Sequence, residues 1–267
     1  PYSTDAYIMN NAVENMFKRN KKIMSILAVI PVRMGSSRFP GKPLKKINGT
    51  PMVQRVINNC EKSKLVKKVV TATCDKEIFK FVSSLKKDVV MTSKKHNRAS
   101  DRVCEAVKKL EKNKNKKYKI VVMIQGDEPM VTGKMIDNAL KPMLSDKSIN
   151  VINLVSPIRS KDELLDINTI KVTYDKKMNA VYFSRSVIPF FKKFIKNFFF
   201  KQVCVIPFRR DFLFKYSSLK ETKLEKVESI DMLRIVENNL KVKLVKVSQY
   251  THAVDNLKDL KLVERLI

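Results

Sequence analysis

Short unbroken apolar runs alternate with stretches of helical period through the first half of this 267-residue chain. That alternation constrains the fold more than any other feature. ILAVIP (Ile26–Pro31), KKVVTATCD (Lys67–Asp75) and YKIVVMIQGDEP (Tyr118–Pro129) have the character of strands buried on both faces. Between them, apolar residues recur every three or four positions: Met52, Val53, Val56, Ile57 and Cys60; Ile78, Phe79, Val82 and Leu85; Val103, Val107 and Leu110; then Met135, Ile136, Ala139, Leu140 and Met143. Thr50 is expected to cap the first of these helices, with Pro51 opening it, and Ser100 to cap the third. Strand followed by amphipathic helix, repeated, builds a mostly parallel α/β sheet flanked by helices, and ligands gather beyond the carboxyl ends of its strands. The second half is less regular. INVINLVSPI, TIKVTYD, NAVYFSRS, KQVCVIPFRRDFLFKY and KVKLVKV read as strands, some antiparallel, and LEKVESIDMLRIVENN as a helix. A small β-rich sub-lobe is expected at about residues 155–225. Residues 1–23 read as an N-terminal extension ahead of a single domain, 24–267.

Glycine is scarce: five residues stand where an average chain of this length carries about nineteen. Three of the five fall within Gly35–Gly49. The loop IPVRMGSSRFPGKP (Ile30–Pro43) leaves the first strand with Arg33, Gly35, Ser36, Ser37, Arg38, Gly41 and Lys42. Bare backbone N–H groups, hydroxyls and cations gathered between a strand end and a helix make an anion cradle suited to a triphosphate. It is not a P-loop, because no G-K-[ST] closes it. QGDEP (Gln125–Pro129) places Asp127 and Glu128 at the tip of another strand, where a carboxylate can hold an oxygen-preferring Mg²⁺ that bridges phosphates.

Composition removes other classes. Cys60, Cys74, Cys104 and Cys204 have no C-x-x-C spacing, and with only His96 and His252 beside them a zinc site or disulfide framework is not expected. No apolar run is long enough to span a bilayer, and IPFFKKFIKNFFF (Ile188–Phe200) is broken by lysines. Without a basic region followed by an apolar block and cleavage site, the expectation is a cytoplasmic protein with no membrane contact. The net charge of +29 invites a nucleic-acid reading. However, 43 of the 55 basic residues are lysines spread over nearly every segment, without the arginine–aromatic interleaving that single-strand binders use. No nucleic-acid partner is expected.

IPVRMGSSRFPGKPLKKINGTPM, TATCD, IQGDEPM, IKVTYD, AVYFSR, LEKVESIDMLR and AVDNLKDL occur in this order from Ile26 to the C-terminus. Together they resemble the cytidylyltransferases that activate 3-deoxy-manno-octulosonate (Kdo), the CMP-Kdo synthetases. The resemblance implies a Rossmann-like nucleotidyltransferase fold, usually a homodimer, that makes a CMP-sugar and pyrophosphate from CTP and an acidic sugar. It implies that Arg33, Ser37, Arg38 and Lys42 bind the triphosphate, that Gln125 and the loop around Arg102 face cytosine, and that Asp127 and Asp255 ligate Mg²⁺. Arg38, Lys42 and Asp127 would then carry catalysis, and Arg185, Gln202, Glu228 and Asp231 would meet the sugar acid.

The chain departs from the family pattern at the sugar end. HNRASDR has Arg98 and Ala99 where the family shows serine and glycine. QVCVI has Gln202, Cys204 and Ile206 in place of histidine, glycine and tyrosine, and Asp231–Met232 replaces an acid–glutamine pair. An acceptor other than Kdo therefore stands as an alternative: a different ulosonic acid, a phosphonate or a sugar phosphate.

Overall fold

The structure, a computed structural model, describes residues 25–35, 39–114 and 117–267. The proposed extension, 1–23, lies outside them. Strand β1 (Ile26–Val32) is buried along its whole length, between β4 (Lys68–Thr73) and β6 (Ile120–Ile124). It pairs with both in parallel. Parallel β5 (Val89–Met91) and antiparallel β11 (Val205–Arg209) complete a sheet of order β11-β6-β1-β4-β5. The period of two in β1 sends Leu27 and Val29 into one core and Ile26, Ala28, Ile30 and Val32 into the other. Helix α3 (Ala99–Lys114) covers the first face through Val103, Ala106 and Val107. Helices α1 (Met52–Glu61), α2 (Lys76–Ser84) and α4 (Gly133–Ser145) cover the second. The mixed, parallel-rich α/β architecture read from the alternation is the one observed.

A second sheet, of order β12-β7-β10-β8-β9, collects β7 (Ile152–Pro157), β8 (Lys171–Tyr174), β9 (Ala180–Ser184), β10 (Phe200–Val203) and β12 (Lys243–Lys246). Its pairings are antiparallel except β7 with β12. This layout divides the stretch 155–225 differently from one continuous sub-lobe. KQVCVIPFRRDFLFKY, read as one strand, breaks at Cys204: β10 ends in the second sheet, β11 starts in the first, and Arg210–Ser218 is a helix. Unbroken hydrophobicity cannot reveal a strand that changes sheets, because both halves are buried.

Two caps also differ from expectation. Thr50 pairs with Ile47 in a two-residue hairpin (β2 Lys46–Ile47, β3 Thr50–Pro51), so α1 begins at Met52. Ser100 sits inside α3, and its hydroxyl turns away to Asp231 Oδ2, 2.9 Å distant. The three-residue edge strand β5 escapes the sequence because all its side chains are only half buried.

Candidate active site

The ends of β1, β6 and β10 and the start of β11 converge on a cleft of about 530 Å³. The cationic loop begins at the end of β1, where Met34 N donates to Asp75 Oδ2 at 2.8 Å, tying its base to the end of β4. Arg33 and Gly35 line the cleft. Ser36, Ser37 and Arg38 lie outside the described residues. Gly41, at φ 70°, reverses the chain into the short 3-10 turn that begins with Lys42. Gly35 needs no positive φ, and no atom of the described residues lies within 4 Å of where its Cβ would be.

Not every rare glycine belongs to an anion cradle. A Cβ on Gly126 would come within 2.1 Å of Val32 Cγ1. That glycine lets the QGDEP turn pack against β1, and this close packing places Asp127 beside the loop.

Lys42 Nζ lies 2.7 Å from Asp127 Oδ2 and 3.5 Å from Asp255 Oδ1. Burial works against the ammonium, but the two carboxylates outweigh it and hold its pKa above the ordinary lysine value. The acids arrive from chain positions 128 residues apart. Val254 N donates to the Asp127 carbonyl at 2.9 Å, setting the AVDN turn against QGDEP. Asp259 Oδ2 then accepts from Asp255 N and Asn256 N at 2.9 and 3.1 Å. Asn256 caps the C-terminal helix Leu257–Leu266.

Two adjacent carboxylates offer hard oxygen donors to a divalent cation. The described residues hold no cluster of three or more acidic, histidine or cysteine side chains, so phosphate and water oxygens would complete such an ion's shell. That donor set matches Mg²⁺, which takes one or two carboxylates and keeps its other positions for phosphates and water. Glu128, grouped with Asp127 as a strand-tip acid, turns inward instead. It is 3% exposed, accepts from Cys204 N at 2.8 Å, and burial pushes its pKa up to about 7. Its Oε2 has no hydrogen-bond partner among the described residues.

Gln125 and Arg102, expected to face cytosine, both line the cleft. Gln125 N donates to the Cys204 carbonyl at 3.1 Å, and the buried Arg102 donates to Thr92 Oγ1 at 2.6 Å. Glu105 secures this strap by accepting from Ser93 N at 2.9 Å and pairing with His96.

Arg185, Gln202, Cys204, Ile206, Asp231 and Arg98, the residues expected near the sugar or departing from the family pattern, also line the cleft. Arg185 Nε donates to the Glu228 carbonyl at 2.8 Å and Nη1 to the Ile167 carbonyl at 3.1 Å. Glu228, expected to meet the sugar, does not line the cleft. Its carboxylate is taken by Ser184 Oγ and Arg185 N, both at 2.8 Å, so it holds Arg185 from behind. Gln202 Nε2 reaches Asn153 Oδ1 at 2.6 Å. Arg98 spans Glu221 (2.9 Å), Ser229 Oγ (3.0 Å) and Asp231 (3.9 Å), tying the α3 strap to the turn that carries Asp231. Burial raises the Asp231 pKa, and the Ser100 hydroxyl opposes that rise. Sequence reasoning missed Asp75, Arg98 as a bridge, and the buried Lys171 and Lys201; a lysine in a lysine-rich chain carries no sign that it faces inward.

The cytidylyltransferase family profile matches residues 27–244. This chain belongs to the cytidylyltransferase family. A 3-deoxy-manno-octulosonate cytidylyltransferase of Geobacter metallireducens is 37% identical over 255 residues, 91% of this chain and 98% of that one. One from Fusobacterium nucleatum is 34% identical over 240 residues, 90% of this chain and 96% of its own length. A solved CMP:2-keto-3-deoxy-manno-octonic acid synthetase complexed with CTP superposes with a TM-score of 0.80 at 33% identity, covering 91% of this chain and 98% of that one. As a cytidylyltransferase, the chain is an enzyme.

Proposed function

We propose that this cytidylyltransferase moves CMP from CTP to the anomeric hydroxyl of an acidic sugar, Kdo or a related 2-keto-3-deoxy acid, releasing pyrophosphate. One observation carries the reading: the Lys42 ammonium sits between the Asp127 and Asp255 carboxylates at the strand ends. With CTP bound, Mg²⁺ on those two aspartates would supply positive charge to the phosphates and polarise their oxygens. Lys42 would then be free to meet the triphosphate with Arg33, with Ser37 and Arg38 as the resemblance implies, and with Ser36 and the bare backbone of Gly35 from the same loop. These donors meet the negative charge that builds as the hydroxyl attacks the α-phosphorus and pyrophosphate departs. Gln125 and Arg102 hold the base. Arg185 presents its guanidinium to the acceptor carboxylate while Gln202 and Asp231 border the sugar hydroxyls.

The same reading places the enzyme in the cytoplasm as a homodimer without a nucleic-acid or membrane partner; among the described residues no helix is long and apolar enough to cross a membrane. A second acceptor stays in view because Arg98, Gln202, Cys204 and Ile206 border the sugar end together, and a site built to bond hydroxyls discriminates strongly when its partners change. The test is incubation with each of the four nucleoside triphosphates, Mg²⁺ and a panel of 2-keto acids, phosphonates and sugar phosphates, with mass detection of nucleotide conjugates. CMP conjugates of a keto acid, abolished by Asp127→Asn, are expected. Equal use of all four triphosphates, or full turnover by Asp127→Asn, would overturn the reading.

A further inference from the structure

Lys171 is a fully buried lysine on β8. Its ammonium donates to three main-chain carbonyls: Asp166 at 2.9 Å, Thr169 at 2.7 Å and Arg185 at 2.5 Å. Desolvating an ammonium is costly, and a methionine would fill the same volume without that cost. The arrangement therefore calls for a reason beyond packing.

The reason lies in what the carbonyls belong to. Asp166 and Thr169 belong to a turn that lines the cleft, and Arg185 lines it too. Arg185 already reaches that turn through Nη1 to the Ile167 carbonyl. The ammonium and the guanidinium thus both stitch the same two segments together. Across the sheet, Lys201 stands in register with Lys171, but its ammonium turns to Glu163 and the Thr251 carbonyl, toward the turn that carries Asp255.

We propose that Lys171 is a positioning residue of the acceptor site, whose ammonium fixes the Arg185 segment at the place where its guanidinium receives the acceptor's carboxylate. This rests on the proposed acidic acceptor. The ammonium does not touch the acceptor; it acts through the Arg185 main chain.

The charged groups around Lys171 are Asp166, Arg185 and Glu228, with Lys201 on the neighbouring strand. Burial draws the Lys171 pKa down to about 8; Asp166 and Glu228 oppose the fall and Arg185 adds to it. A lysine lowered in the folded state loses its proton there first, so the stitch holds below about pH 8 and weakens progressively as pH rises through that value.

The experiment is steady-state kinetics of the full chain from pH 7 to 9 with the keto acid that it turns over, beside Lys171→Met. In the parent, the acceptor KM rises across that window while the CTP KM holds. In Lys171→Met, the acceptor KM is raised about tenfold already at pH 7, the CTP KM is within about twofold of the parent, and the pH step is gone. A flat acceptor KM in the parent overturns the proposal, and this profile decides the matter even where the variant does not fold. It is equally overturned by a variant whose two KM values move together, as loosened packing would produce. Failure of every keto acid to yield a CMP conjugate overturns the reaction and this inference together, a result distinct from a flat profile.

Discussion

Replacing Lys42 by methionine removes the ammonium that stands between Asp127 and Asp255 while keeping most of its bulk. The pair distances are 2.7 and 3.5 Å, with side chains between 13% and 23% exposed. At an effective dielectric near 20, unit charges about 4 Å apart attract by roughly 4 kcal/mol before desolvation is counted. Fully buried pairs lose about 3–5 kcal/mol when one partner is removed, and partial exposure reduces that to about 2 kcal/mol here. In a chain of this size such a loss lowers Tm by roughly 4–8 °C. The two carboxylates then lose the ammonium that stands between them. A divalent ion should consequently stabilise Lys42→Met more than the parent, since it no longer has an ammonium to displace. Thermal unfolding in chelator and in saturating Mg²⁺, run for both proteins, reads each effect. Turnover should fall by about 10² or more, because a donor to the triphosphate has gone. An unchanged Tm in chelator, together with a metal response no larger than the parent's, would refute the electrostatic triangle on which the reaction scheme stands.

Two other substitutions probe the frame around the cleft. Arg234 donates to both oxygens of Glu225 at 2.7 and 2.6 Å, with both residues buried, so Glu225→Gln removes the carboxylate charge that this buried guanidinium pairs with most closely. The expected cost is about 3–5 kcal/mol, visible as a lower Tm in calorimetry. Glu105 has its pKa lowered to about 2: burial would raise it, but Lys109, Ser93 N and His96 prevail. Its stabilising share is therefore present above the unfolded carboxylate range and lost as pH falls toward 2. Glu105→Gln should be less stable than the parent at pH 6, and the gap should narrow below pH 4.5; a gap independent of pH would show that the carboxylate's charge contributes nothing.

Much of the molecule was legible in its residues. The apolar runs and helical periods announced a parallel-rich sheet with helices on both faces, because burial on two sides leaves a continuous hydrophobic signature. The clustering of Gly35, Gly41, Arg33 and Lys42 after the first strand, and of Asp127 after another, pointed to one cleft, because parallel strands deliver their ends to the same edge. Ser36, Ser37 and Arg38 remain expectations from the sequence alone.

What the chain could not announce were relations between distant segments. Glu128 and Asp127 are neighbours of like charge, yet only the folded pairing with Cys204 buries one and leaves the other beside the Lys42 ammonium. Glu228 reads as a ligand to the sugar and becomes a clamp on Arg185 once β9 and its own helix meet. Lys171 and Lys201 are two among 43 lysines until adjacent strands carry them inside. Residue type and spacing determine which local elements form and which chemistry is available, because those depend on neighbours along the chain. Which carboxylate is desolvated, which cation is sequestered and which glycine packs against a strand are decided by contacts across the chain, and only the tertiary structure holds those.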